Sequence, residues 1–119
     1  MRYILLIYQN PEAFQAFPEA ERTELMNEAG AIVNDLIESG EWIGGEGLAH
    51  PSNTRTIRVR DGAATVTDGP YLEAKEHLCG YAIFDTSPER AEEIGKRWPD
   101  ARHWGIELRP LMQAGGADM

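Results

Sequence analysis

The sequence predicts an α+β fold of the ferredoxin-like kind, a mostly antiparallel sheet with two helices on one face. Three observations carry that expectation. Apolar residues recur at three- and four-residue steps over Pro18–Ser39 and again after Ser87, which is the spacing of a helix face. Short apolar or alternating runs stand before and after each helix, at Tyr3–Tyr8, Glu41–Leu48, His77–Phe84 and Arg102–Pro110. A further pair of alternating runs flanks Asp61-Gly62, a strong hairpin signal. The order is therefore strand, long helix, short strand, hairpin, strand, helix, strand, with no internal repeat and no linker.

Tyr3–Tyr8 is apolar on both alternating faces, the mark of a central strand covered on both sides. Asn10 is placed to cap a short helical turn with Pro11 at its first position. In the long helix Leu25, Ala29, Ile32, Val33, Leu36 and Ile37 share one face. Glu21, Arg22, Glu24, Glu28, Asp35 and Glu38 fill the solvated remainder, and Gly40 follows where a left-handed C-cap belongs. Glu41–Leu48 is a glycine-broken strand whose glycines permit a bulge or a close backbone approach. They match neither a dinucleotide fingerprint nor a phosphate loop.

The hairpin runs from Thr54 to Arg60 and back from Ala63 to Asp68. Arg55, Ile57 and Val59 lie on one face; Thr56, Arg58 and Arg60 lie on the other. A two-residue turn fixes the register: Arg60 opposes Ala63, Val59 opposes Ala64, Ile57 opposes Val66 and Arg55 opposes Asp68. The Arg55–Asp68 pair is expected to sit partly buried at the end of the apolar face. In the second helix Ser87 is the N-cap, Pro88 the first position, and Ala91, Ile94, Gly95 and Trp98 the buried stripe, stopped by Pro99. The last strand is expected over Arg102–Pro110, with Trp104, Ile106 and Leu108 on one face. The second face of the sheet then carries Arg58, His103, Glu107 and Arg109 among apolar neighbours. A second copy packed there would cover it, so a symmetric homodimer is expected.

The length of 119 residues is that of one domain, here residues 1–111 with a frayed tail over 112–119. A hydrophobic content of 42% is enough for a core. The 20 acidic residues against 11 basic ones argue against nucleic acid as a direct partner. Cys79 is the sole cysteine, so no internal disulfide forms, and with no signal peptide a cytoplasmic location is expected. Tyr3–Tyr8 is too short to span a bilayer. No metal-ligand spacing and no cofactor fingerprint occur, so neither a metal nor a cofactor is expected.

Titratable groups concentrate between Val66 and Tyr81, where Asp68, Glu73, Lys75, Glu76 and His77 fall in one short run. Asp68, His77 and Glu76 are the catalytic candidates. His77 is the best acid–base group because histidine titrates near neutrality, though a strand-end histidine is also readily satisfied by backbone. A cation beside a carboxylate favours its charged form, so Asp68 paired with Arg55 suits orienting a substrate more than taking a proton. Asp68 would equally serve to fix the turn. The substrate-binding candidates are Arg55 and Arg109 as anion anchors, Lys75 as an attractor of anions, Tyr71 and Tyr81 as pocket walls, and Glu46 amid its glycines. For Lys75 and Glu46 a solvated surface position is the plainer alternative.

Taken as an ordered set, several segments resemble the YCII-related proteins of the DGPF type. They are Met1–Tyr8, Gly44–Leu48, Arg58–Gly62, Val66–Tyr71, Glu73–Glu76, Gly80-Tyr81 and Glu107–Pro110. The resemblance implies a dimeric α+β barrel in a bacterial cytoplasmic protein, sometimes fused to or encoded beside an extracytoplasmic-function sigma factor. It also implies small-molecule chemistry, since related barrels include isomerases and monooxygenases. Two departures stand out: Tyr71 replaces the phenylalanine that names the type, and the long helix lacks the histidine of smaller relatives' His–Asp pairing. The expectation is a cofactor-free acid–base enzyme with its cleft at the Asp-Gly-Pro motif. The alternative is a non-catalytic ligand-binding or regulatory module associated with a sigma factor.

Overall fold

Tyr3, Leu5 and Ile7 alternate with Ile4, Leu6 and Tyr8, and both sets find cover or neighbours because β1 (Arg2–Gln9) runs through the middle of the sheet. A computed structural model describes residues 1–70 and 74–112. β1 pairs antiparallel with β5 (His77–Asp85) on one side and with β6 (Gly105–Pro110) on the other. β2 (Trp42–Gly47) adds to the far edge of β5, which gives the order β2-β5-β1-β6. That order, with two helical crossovers, is the ferredoxin-like arrangement the sequence predicts. The four-stranded sheet of one chain is open rather than a closed barrel.

The crossovers are α2 (Glu19–Ser39) and α3 (Pro88–Arg97), with α1 (Pro11–Ala16) ahead of the first. Their starts and stops are local chemistry. Asn10 Oδ1 accepts from the Ala13 N–H at 3.1 Å, and Ser87 Oγ accepts from the Arg90 N–H at 3.2 Å. Gly40 closes α2 at φ 80°, a conformation that would strain a side chain. The helices pack on the Tyr3–Leu5–Ile7 face, where Ile32 and Leu36 of α2 and Ala91 and Ile94 of α3 meet Ala82, Phe84 and Trp98. Leu5, Leu36, Phe84 and Ile94 lose all contact with water, so the core is one layer between helices and sheet.

Polar contacts fasten the helices at their ends. Arg97 meets Asp35 at 3.1 Å and Arg102 meets Glu28 at 2.7 Å, both tying the acidic flank of α2 to later residues. The Glu41 carboxylate accepts from the Ser39 and Thr86 hydroxyls at 2.6 Å each and from Arg90 Nε at 3.4 Å. These donors hold its pKa below the usual value.

The opposite face of the sheet carries half-buried Ile4, Leu6, Tyr8, Tyr81 and Ile83. Cross-strand partnership puts Glu107 beside Leu6 and Arg109 beside Ile4, so both lie on this open face as expected. His103 does not. The strand expected from Arg102 begins only at Gly105, because Asp100–His103 form a short helix, α4. Pro99 already holds helical angles there, φ −61° and ψ −33°, and its missing N–H costs nothing at a helix start.

The hairpin departs from expectation in its place, not in its pairing. β3 (Arg55–Arg60) and β4 (Ala63–Asp68) keep the expected register, with Ile57 opposite Val66 and Arg55 opposite Asp68. Asp61 at φ 51° and Gly62 at φ 77° make the tight two-residue turn. Yet the two strands form a sheet of their own. β1 and β2 already fill both edges of β5, and a helical turn at Pro51–Asn53 leads the chain away. Arg58 therefore lies on this hairpin and not on the main sheet. No helix among the described residues is long and apolar enough to cross a membrane.

Candidate functional site

Between α2 and the sheet lies a cleft of about 360 Å³. Its walls follow from the same periodicities that make the elements. Leu25, Ala29 and Val33 project from the inward face of α2, and Ile7 and Ala82 rise from the strands. Trp42 and Trp98 close the sides. Gly45 is required here: a Cβ would stand 2.5 Å from the Tyr81 carbonyl oxygen and 2.8 Å from the Trp42 ring. The glycine-broken strand thus exists for a close approach.

The alternation Tyr3, Leu5, Ile7 continues to Gln9, so a polar side chain enters the apolar cleft from the end of β1. Gln9 Nε2 donates to the Asp100 carboxylate at 2.8 Å. Asp100 opens α4 just after buried Trp98 and Pro99, and so is carried under the helices; it is 8% exposed. Burial pushes its pKa above the ordinary aspartate value, and the hydrogen bonds from Gln9 and the Trp98 side chain only partly oppose that shift. A bulge in β5 opposite Ile7 and Tyr8 leaves Cys79 without a strand partner and sets it in the cleft wall. Burial, with the Asp100 carboxylate adding to it, pushes the Cys79 thiol up to about 12, so this sulfur is a packing group and not a nucleophile.

Aromatic rings gather beside the cleft. Phe14 lines it and meets Trp104 at 6.3 Å between centroids; Phe17 stacks on Trp104 at 5.8 Å and touches His103 at 5.2 Å. The cluster joins α1, the turn before α2 and α4.

The residues singled out from sequence fall in several places. Glu46 and Tyr81 stand at the rim of the cleft but oppose each other across β2 and β5 at register positions of the open sheet face. Lys75 and His77 line a separate hollow of about 320 Å³ with His50, Asn10 and Glu12. Glu76 lines another with Tyr8 and Glu107, where the Glu107 carboxylate raises the pKa of the Tyr8 hydroxyl. Arg109 sits on the open sheet face. Arg55 and Asp68 meet at 3.3 Å on the hairpin, with side chains 58% and 88% exposed; the partial burial expected of them fails because the hairpin leaves the sheet. Tyr71 lies outside the described residues. The stretch dense in charge is thus dispersed, while Asp100, Gln9, Trp98 and Cys79 converge unannounced. One signal was legible, the polar Gln9 on an inward register position.

Among the described residues no group of three or more His, Cys, Asp and Glu side chains converges for a metal ion. The sequence model of the YCII-related domain matches residues 1–114. An uncharacterized protein of Rhizobium meliloti (strain 1021) is 28% identical over 114 residues, covering 93% of this chain and 92% of the relative.

Proposed function

The chain belongs to the YCII-related family, and within it we propose a small-molecule enzyme whose acid–base chemistry takes place in the cleft beneath α2. The ligand is small and mostly apolar, matched to walls of Leu25, Val33, Trp42 and Trp98, with one polar group facing Asp100 and Gln9. The observation that carries this reading is Asp100, a buried carboxyl with a raised pKa on the wall of a hollow. Such a group holds its proton to higher pH than a surface carboxyl, and so can give it to a carbonyl oxygen while solvent takes the proton of the adjacent carbon, and take it back as the enol regains a proton on carbon from solvent. Gln9 keeps the carboxyl oriented. In this reading Asp68 is not the reacting acid, and Lys75 and His77 serve the neighbouring hollow.

The protein works as a cytoplasmic homodimer over its open sheet face. Apolar Ile4, Leu6 and Ile83 on that face and the free Cys79 support this reading. A second reading, a ligand-sensing module without turnover that acts with a sigma factor, is favoured by the engagement of the Asp100 carboxylate with two donors of its own chain. Hydrogen exchange separates the two. Small cyclic ketones incubated with the protein in D2O should take up deuterium beside the carbonyl, and Asp100→Asn should remove that uptake. Binding without uptake would support the sensing module.

A further inference from the structure

The β3–β4 hairpin is built for a partner that its own chain does not supply. Ile57, Val59 and Val66 form one stripe on it and are 65%, 59% and 62% exposed. The opposite face is threonine and arginine, through Thr56, Arg58, Thr65 and Thr67. Such alternation marks a sheet with one face covered, yet among the described residues β3 and β4 pair with each other alone. At the base the Gly69 N–H donates to the Thr54 carbonyl at 2.7 Å and the Thr56 hydroxyl to the Gly69 carbonyl at 2.9 Å, closing the two strands on each other. An isolated two-stranded hairpin is marginal in water, so a covering surface is also what would hold this one in shape.

Charge chooses the cover. From Arg55 to Asp68 the hairpin has three arginines against two aspartates, while the whole chain has a formal net charge of −9. Arg58 and Arg60 lie on the far face, so the stripe's own face carries one cation and one anion, the Arg55–Asp68 pair. The open sheet face of a second copy offers apolar Ile4, Leu6 and Ile83 with Glu107 and Arg109 among them, so each charge of the arm's pair finds its opposite there.

We propose that the hairpin is an exchanged arm: its Ile57–Val59–Val66 stripe lies on a second copy of the chain, at the apolar face of that copy's sheet that bears Glu107 and Arg109. Two-fold symmetry makes each arm contact occur twice. The proposal rests on the homodimer reading and adds which element clasps it. Sedimentation of the full chain tests both. The wild type should be a dimer, and Ile57→Asp with Val66→Asp should weaken it on the order of a hundredfold while far-ultraviolet circular dichroism stays the same. A photo-reactive residue at Val59 in mixed light and heavy protein should give light–heavy cross-links to β1 or β6. A monomeric wild type overturns the dimer and the arm together. A dimer weakened by Leu6→Asp but untouched by the arm variants, or cross-links confined to one chain, overturns the arm alone.

Discussion

Asp100 and Asp68 are the same side chain in opposite surroundings. Asp100 stands beneath two helices, held by Gln9 at 2.8 Å, with its pKa raised by burial. Asp68 stands on an outlying hairpin against Arg55 at 3.3 Å, with water around both. The comparison teaches that crowding of charge along a sequence does not make a site. A carboxyl becomes chemically unusual when the fold takes its water away, and the cleft does that while the arm does not. The arm has a different asset, an apolar stripe on display, which is suited to recognition and not to proton transfer.

Mutations along this contrast should form a graded series. The largest loss is expected under the cleft, where Phe84→Ala removes a fully buried ring and should cost about 3–5 kcal/mol in denaturant unfolding. Glu41 comes next and sharpens the comparison, because its donors lower its pKa where burial raises that of Asp100. Glu41→Gln should cost about 1–3 kcal/mol near neutrality. The native Glu41 binds its proton less tightly than the unfolded chain does. Its contribution is therefore full above the ordinary value of 4.5 and lost as pH falls through the lowered native one. Asp100 has the reverse sign: its contribution should decline as pH rises from 3.8 through the raised native value, which the stability difference between wild type and Asp100→Asn should show against pH. The smallest effect belongs to the arm, where Asp68→Ala should change stability by about 0–1 kcal/mol, as solvated ion pairs do. A cost at Asp68 equal to that at Phe84 would break the contrast.

What the sequence disclosed was what neighbouring residues decide among themselves. The Asn10 and Ser87 caps, the Gly40 stop and the turn at Asp61-Gly62 are local, and the hairpin register follows from the turn by counting. What it concealed depends on distant meetings. Gln9 and Asp100 are 91 residues apart, and nothing in the spacing of either announces the other. The hairpin gave its own pairing but not its position, since alternation tells which face wants cover and not which surface provides it. The Arg55–Asp68 pair shows both at once, present as the register requires and exposed because the arm stands clear of the sheet.

The most direct test of the cleft as the site is one small cyclic ketone titrated into three proteins, with binding followed through the Trp98 and Trp42 indole resonances. Wild type and Asp68→Asn should bind alike, and Asp100→Asn should bind about tenfold or more weakly, the scale of one buried hydrogen bond to a polar ligand group. Equal affinity in Asp100→Asn with loss in Asp68→Asn would contradict the account and return the site to the Asp-Gly-Pro motif.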